Sequence, residues 1–235
     1  MNAARSFSTP NRTRQILEDL EAVRENLLAL SDDIWDSIDR QDLAAFDDGV
    51  QFMRTYLQKM TAFDQLATEI SAMVQEYTSV RLEAQEETGL DDRESNERII
   101  QELNREEPHS VDEDFTYKRP HGLILCGQGA SGLTTWQRVY ELVCQQLLRR
   151  DPQRLRSLVD HPDFVSNRGH HSFTHDPAPL RKALEVETGL YAESNLSANG
   201  IRDMVRQLLD VFEIPKDEMK FFLREDRDAG RIEQP

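Results

Sequence analysis

YAESNLSANGIRDMVRQLLDVF, residues Tyr191–Phe212, reads as a strand end, a tight cap and an amphipathic helix. Leu190, Tyr191 and Ala192 follow the Glu187-Thr188-Gly189 turn and suit a short strand. Ser197 is a good N-cap, because its hydroxyl can accept from a free amide of the first helical turn. Ile201, Val205, Leu208, Leu209 and Phe212 then recur at helical spacing and make one apolar face. Pro215 stops the helix, since it cannot continue the hydrogen-bond ladder. Phe221, Phe222 and Leu223 read as a last strand, closed by the charged run Arg224–Asp228. The whole predicts a strand–helix–strand unit whose helix lies on a sheet.

Working outward, residues 116–228 read as one module. Leu123, Ile124 and Leu125 suit a buried strand carrying Cys126 at its end, and a glycine-rich turn follows. Thr134 with Gln137 three residues on forms a capping box. Trp136, Val139, Tyr140, Val143, Cys144 and Leu147 give the next helix its apolar face. Asp151-Pro152 starts a short helix, with Asp as cap and Pro at the first position. Short strands are expected near Phe173 and over Leu184–Val186. The fold class is α+β: a small mixed-sheet domain with helices on one side.

The first half has a different pattern. Residues 1–12 read as a polar, disordered tail. From Thr13 the apolar positions run Ile16, Leu20, Val23, Leu27, Leu30, Ile34 and Ile38, alternating four and three like a coiled-coil seam. Asp42 caps a second helix with Leu43, Phe46, Val50, Met53, Leu57 and Met60. Its seam continues through Phe63, Leu66, Ile70, Met73, Tyr77 and Val80. Residues 13–86 are thus a long antiparallel helical hairpin, or coiled coil, whose second arm would run roughly 65 Å at ~1.5 Å per residue. The shorter arm leaves part of that seam uncovered, so a homo-oligomer or a partner protein is expected. Residues 87–115 read as an acidic linker with a short helix through Ile99, Ile100 and Leu103, and 229–235 as a tail.

Composition sharpens the division. The 235 residues carry a net charge of −16. Residues 1–115 hold 11 Lys and Arg against 27 Asp and Glu, while 116–235 hold 17 of each, so the acidic excess lies wholly in the first half. Such a half repels phosphate backbones and is a poor grip for nucleic acid. No apolar run approaches the ~20 residues that span a bilayer, and the N-terminus lacks the apolar core of a secretory signal. The expectation is a cytoplasmic protein without membrane contact, its two cysteines free and buried.

Several motifs invite chemistry. Gly127-Gln128-Gly129-Ala130-Ser131-Gly132 matches the dinucleotide-binding fingerprint letter for letter. It lacks the acidic residue at the end of a second strand about 20 residues on and the strand–helix–strand crossover. A flexible turn is the better reading. His170, His171 and His175, with His161, Asp163 and Asp176 near, form a histidine cluster whose spacing alone does not distinguish a helix face from a strand face. No metal, cofactor or catalytic set is assigned. Arg149, Arg150, Arg154 and Arg156 are the candidate nucleic-acid contacts, against a reading as cations that suit a helix C-terminus. Asn195, Ser197, Asn199, Arg202 and Arg206 are the candidate ligand or partner site, because a cap and first turn present amides and cations to an anion.

Residues 116–223 resemble a small module found in bacterial proteins of mobile-element and restriction or defence neighbourhoods. Arg119-Pro120, Gly127, Thr135-Trp136, Leu142, Phe173, Leu180-Arg181, Tyr191, Asn195–Asn199, Ile201, Leu208-Leu209 and Phe212 carry the likeness. It implies a bacterial or phage cytoplasmic setting and no established activity. The leading expectation is a non-enzymatic interaction or regulatory protein, with the acidic coiled coil for association and the α+β module for recognition. The rival is a nucleic-acid-binding or nuclease component of a restriction or defence system. A weaker third reading has the acidic hairpin mimicking DNA.

Overall fold

A computed structural model describes residues 9–82, 86–166 and 169–224, apart from the Thr9 side chain. The chain divides into two compact units, Met1–Ala84 and Gln85–Pro235.

The first unit is a helical hairpin. Helix α1 spans Thr9–Ser37 and α2 spans Leu43–Thr78. Asp42 caps α2 as expected, accepting from the Ala44 and Ala45 amides. The second arm is shorter than the sequence suggested, because Ser79 turns left-handed (φ 57°) and ends the helix. Helix α1 in turn starts four residues before the expected boundary, inside the supposed tail; residues 1–8 lie outside the described residues.

The hairpin does not pack along the whole predicted seam. Leu17, Arg24, Leu28 and Ser31 of α1 are buried, as are Met53, Met60, Ala67 and Ser71 of α2. Arg24 bridges the arms, donating to Glu21 at 3.0 Å and to Asp64 at 3.2 Å. Burial opposes its charge, and the carboxylates of Glu21, Glu25 and Asp64 outweigh that and raise its pKa. The Tyr56 hydroxyl donates to the Leu27 carbonyl, also across the pair.

The second unit is α+β, with two small sheets, each antiparallel throughout. One has the order β1 (Glu87–Thr88), β3 (Gln128–Ser131), β2 (Pro120–Leu125), β7 (Met219–Leu223). The other is β4 (Phe173–Thr174), β6 (Leu190–Glu193), β5 (Ala183–Glu187). The α+β class holds; the single mixed sheet is replaced by two antiparallel ones, since short strands joined by tight turns pair with their neighbours. Strands β6 and β7, read from sequence as one unit around a helix, belong to different sheets. The helix between them, α6 (Ala198–Val211), packs chiefly against α4 (Trp136–Arg150).

Helices cover both faces of the larger sheet, not one. Leu123, Leu125 and Phe221 enter the main core with Trp136, Val139 and Leu147 of α4. Alternation along a strand sends Ile124 and Phe222 to the opposite face. There α3 (Arg93–Leu103) covers them with Ile99 and Leu103. Residues 87–115 are therefore no tether. They supply β1 and α3, and their last turn places Val111 and Phe115 in the core. Phe115 stacks on Trp136 at 4.8 Å and meets Phe221 edge-on at 5.1 Å.

Local starts and stops follow the sequence closely. Ser197 accepts from the Gly200 amide, and Asp151 caps α5 (Pro152–Arg156) with proline in its first turn. Two differ. Thr135, one residue beyond the expected cap, accepts from the Arg138 amide. Helix α6 ends before Pro215: Glu213 turns left-handed (φ 56°) and the Ile214 amide reaches back to the Leu209 carbonyl, a Schellman closure.

Candidate functional site

The residues singled out around the α6 cap come together, but as a clasp on the chain itself. The Asn199 side chain accepts from the Phe115 amide at 2.8 Å. It donates to Asp114 Oδ1 at 2.7 Å and to Thr116 Oγ1 at 2.8 Å. Arg202 donates to the Glu113 carbonyl at 2.7 Å and to the Asp203 carboxylate. Arg206 lies 3.1 Å from Asp203 and 3.9 Å from Asp112. Lys216 reaches Asp112 at 2.9 Å. Ser197 caps the helix, and the Asn195 amide donates to Glu193 Oε1.

The amides and cations expected to meet an anion thus meet the chain's own acidic segment, residues 112–116. Hydrogen bonds from Thr116 and Asn199 hold the Asp114 carboxyl down at about 2. The Lys216 ammonium lowers Asp112 likewise.

The arginine group is largely occupied too. Arg149 donates to the Leu90 carbonyl and the Asp91 carboxylate. Arg156 grips Glu187 through two nitrogens. Arg154 lies near Asp151 and Glu213 and over the Phe212 ring. Arg150 differs: its guanidinium adjoins the Cys126 thiol.

The glycine motif is a hairpin rather than a nucleotide loop. Cys126, expected on a strand, and Gly127 form the two-residue turn between β2 and β3, both left-handed at φ 48° and 73°. Gly129 lies in β3, where an added Cβ would stand 2.9 Å from Ile99. Asn96 of α3 locks this hairpin, donating to the Gly127 carbonyl and accepting from the Gly129 amide, both at 2.8 Å. The glycines serve a tight turn and a close helix approach.

The histidines are dispersed among separate backbone partners. His171 Nδ1 pairs with the Val159 carbonyl and His175 Nδ1 with the Gly189 carbonyl. His161 accepts from the Asp163 amide at 3.4 Å. Among the described residues no group of three or more His, Cys, Asp or Glu side chains is placed to hold a metal ion.

Among the described residues, two features are open to other molecules. The first is an apolar face on the hairpin. Ile16, Val23 and Leu30 of α1, seven residues apart, are 58, 48 and 37% exposed. Leu20 and Leu27 between them, and Ile34 four residues on, are only half buried. On α2, Phe52, Leu66, Ile70, Met73 and Tyr77 are exposed. The Tyr56–Leu27 bond sets the two stripes side by side on the hairpin. Met53 and Met60, also in the predicted seam, are enclosed by contrast. The second feature is a cleft beside Cys126, which sequence reasoning missed. Its members, among them Gln146 and Ile214, come from segments far apart in the chain, and no motif joins them.

No family model matches the chain, and no curated protein or solved structure is significantly similar to it. Among the described residues, no helix is long and apolar enough to cross a membrane.

Proposed function

We propose that this chain is a non-enzymatic interaction protein that self-associates through the apolar face of its hairpin. One observation carries the reading: the heptad stripe Ile16–Val23–Leu30, with its half-buried partners, is left facing outward beside the exposed residues of α2. A contiguous apolar face of two helices is costly in water. Two such hairpins packed face to face form a four-helix bundle and remove both faces from solvent. A second copy suits the surface because a two-fold interface requires a self-complementary patch, which a regular heptad provides. The α+β unit is then the recognition module. The bacterial or phage setting, in the cytoplasm, belongs to the same proposal and rests on the resemblance of residues 116–223. The nucleic-acid-binding or nuclease alternative is less favoured, because three of its four arginines lie against acidic side chains.

Sedimentation of the full chain at several concentrations tests this. A concentration-dependent dimer or larger species is expected. The double substitution Val23→Glu with Ile70→Glu should return it to monomer with helix content retained. A wild-type chain that stays monomeric at every concentration overturns the proposal.

A further inference from the structure

The hairpin carries a charge pattern beside its apolar one. Its turn end is strongly acidic: residues 32–48 hold seven aspartates and one arginine. Its open end, residues 9–24 of α1 and 65–78 of α2, holds three arginines against five carboxylates. In the α1 stripe, Val23 lies midway between Ile16 and Leu30, seven residues from each. Arg12, Asp19, Asn26 and Asp33, also seven apart, flank that stripe on one side, basic at the open end and acidic toward the turn. The opposite flank, Leu17, Arg24 and Ser31, is buried. On α2, Phe52, Lys59, Leu66 and Met73 repeat at the same spacing and all are exposed, so a lysine stands in an apolar row. A copy that covers this row must bring Lys59 a carboxylate, because a cation enclosed by apolar groups alone is costly. The Arg24–Asp64 bond at 3.2 Å sets Val23 level with the part of α2 around Asp64.

We propose that two copies pair end for end, the turn of each hairpin against the open end of the other, with the two-fold axis passing near Val23 and Asp64. This rests on the self-association of the hairpin and adds its direction. The rotation lays α1 on α1: Val23 meets the partner's Val23, Ile16 the partner's Leu30 and Arg12 the partner's Asp33. It lays α2 on α2 likewise, bringing Phe52 to the partner's Tyr77 and Lys59 to the partner's Glu69, since both pairs are centred close to Asp64. Symmetry repeats each ion pair. The other two-fold arrangement, turn beside turn, lays α1 on the partner's α2. Arg12 then meets the partner's Glu76, but Asp19 meets the partner's Glu69. The two acidic turns also lie side by side, within the ~8 Å over which charges act at physiological salt. Exposed ion pairs add little affinity; the apolar face supplies it, and charge selects the direction. Each α2 ends at Thr78. At ~1.5 Å per residue the two exits lie about 40 Å apart, at opposite ends of the bundle. An end-for-end pair therefore offers two separate recognition units to two sites on a target.

Disulfide trapping in the full chain tests the direction, in a Cys126→Asn background that leaves only the buried Cys144. A disulfide needs Cα atoms within about 7 Å. Val23→Cys is therefore expected to form a covalent dimer under mild oxidation. Ile16→Cys mixed with Leu30→Cys should be trapped as a mixed dimer, at least tenfold faster than either alone. Absence of the Val23→Cys dimer in a chain that sediments as a dimer overturns the proposal; an adduct of Val23→Cys with Leu66→Cys then identifies turn beside turn. Charge reversal is a second measure that needs no cysteine. Arg12→Asp should weaken the dimer about fivefold in sedimentation, and adding Asp33→Arg should restore it. The two positions lie 21 residues apart on one helix and cannot meet within a chain, so restoration reports a contact between copies. No restoration counts against the end-for-end pair. Sedimentation separates this from association itself: a dimer trapped turn beside turn leaves association standing, and a monomer at every concentration removes both.

Discussion

Asn199 shows how a residue chosen for one reason serves another. Its position after the Ser197 cap suggested an exposed amide, yet it holds the Phe115 amide, Asp114 and Thr116 at once. Asn199→Leu should lower stability by about 2 kcal/mol, because a backbone amide loses its acceptor and a carboxylate loses a donor; a urea denaturation midpoint measures it. Asp114 adds a pH dependence. Its folded pKa of about 2 lies below the ordinary value of 3.8, so it stabilises the fold above pH 4 and that contribution disappears as pH falls toward 2. Asp114→Asn should accordingly flatten the fall in melting temperature over that window. Cys126 is another legible position once the hairpin is known. Both residues of its turn are left-handed, where asparagine followed by glycine is favoured. Cys126→Asn is expected to stabilise by about 0.5–1 kcal/mol, read from the same denaturation midpoint.

Among the elements, the caps and apolar faces were plain in the sequence and the strands less so. The apolar positions of α4 and α6 named from periodicity are all buried, from Trp136 to Phe212. Strand β3 was missed because Gln128-Gly129-Ala130-Ser131 has no apolar alternation; its only wide side chain is polar, and its glycine is there to let α3 approach. Gly129→Ala is therefore expected to cost about 1–3 kcal/mol by forcing Ile99 off its seat. The α3 helix was anticipated, but not its partner, since an eleven-residue amphipathic segment carries no record of what it covers. In the hairpin, the seam of threes and fours correctly indicated helices. It did not indicate which edge of a broad stripe would face the other arm. Arg24 lies within the buried edge, paired with Glu21 and Asp64. Arg24→Ala would leave two carboxylates facing each other without their cation, and should lower the helical melting temperature; Arg24→Met should be better tolerated.

At the scale of the whole molecule, charge was read correctly and placed wrongly. Residues 86–115 hold 12 Asp and Glu against 3 Lys and Arg, which resembles a solvated tether. The structure instead lays that segment on the basic groups of the second half: Glu86 on Arg138, Asp91 on Arg149, Asp112 on Lys216. Expressed alone, residues 85–235 should unfold cooperatively, whereas 116–235, which follows the boundary suggested by composition, should not fold. The shorter chain loses Ile99, Leu103, Val111 and Phe115 from its cores; calorimetry of the two fragments distinguishes them. By itself the sequence determined the helices, most of their caps and the α+β class, because each depends on residues within a few turns of one another; which edge of the hairpin's apolar stripe faces outward was decided by how the arms pack. The tertiary structure alone decided that the acidic stretch belongs to the fold, that the asparagine–arginine group is spent internally, and that Gln146, Cys126 and Ile214 share a cleft. Those outcomes rest on pairings between segments tens of residues apart, and local periodicity carries no term for them.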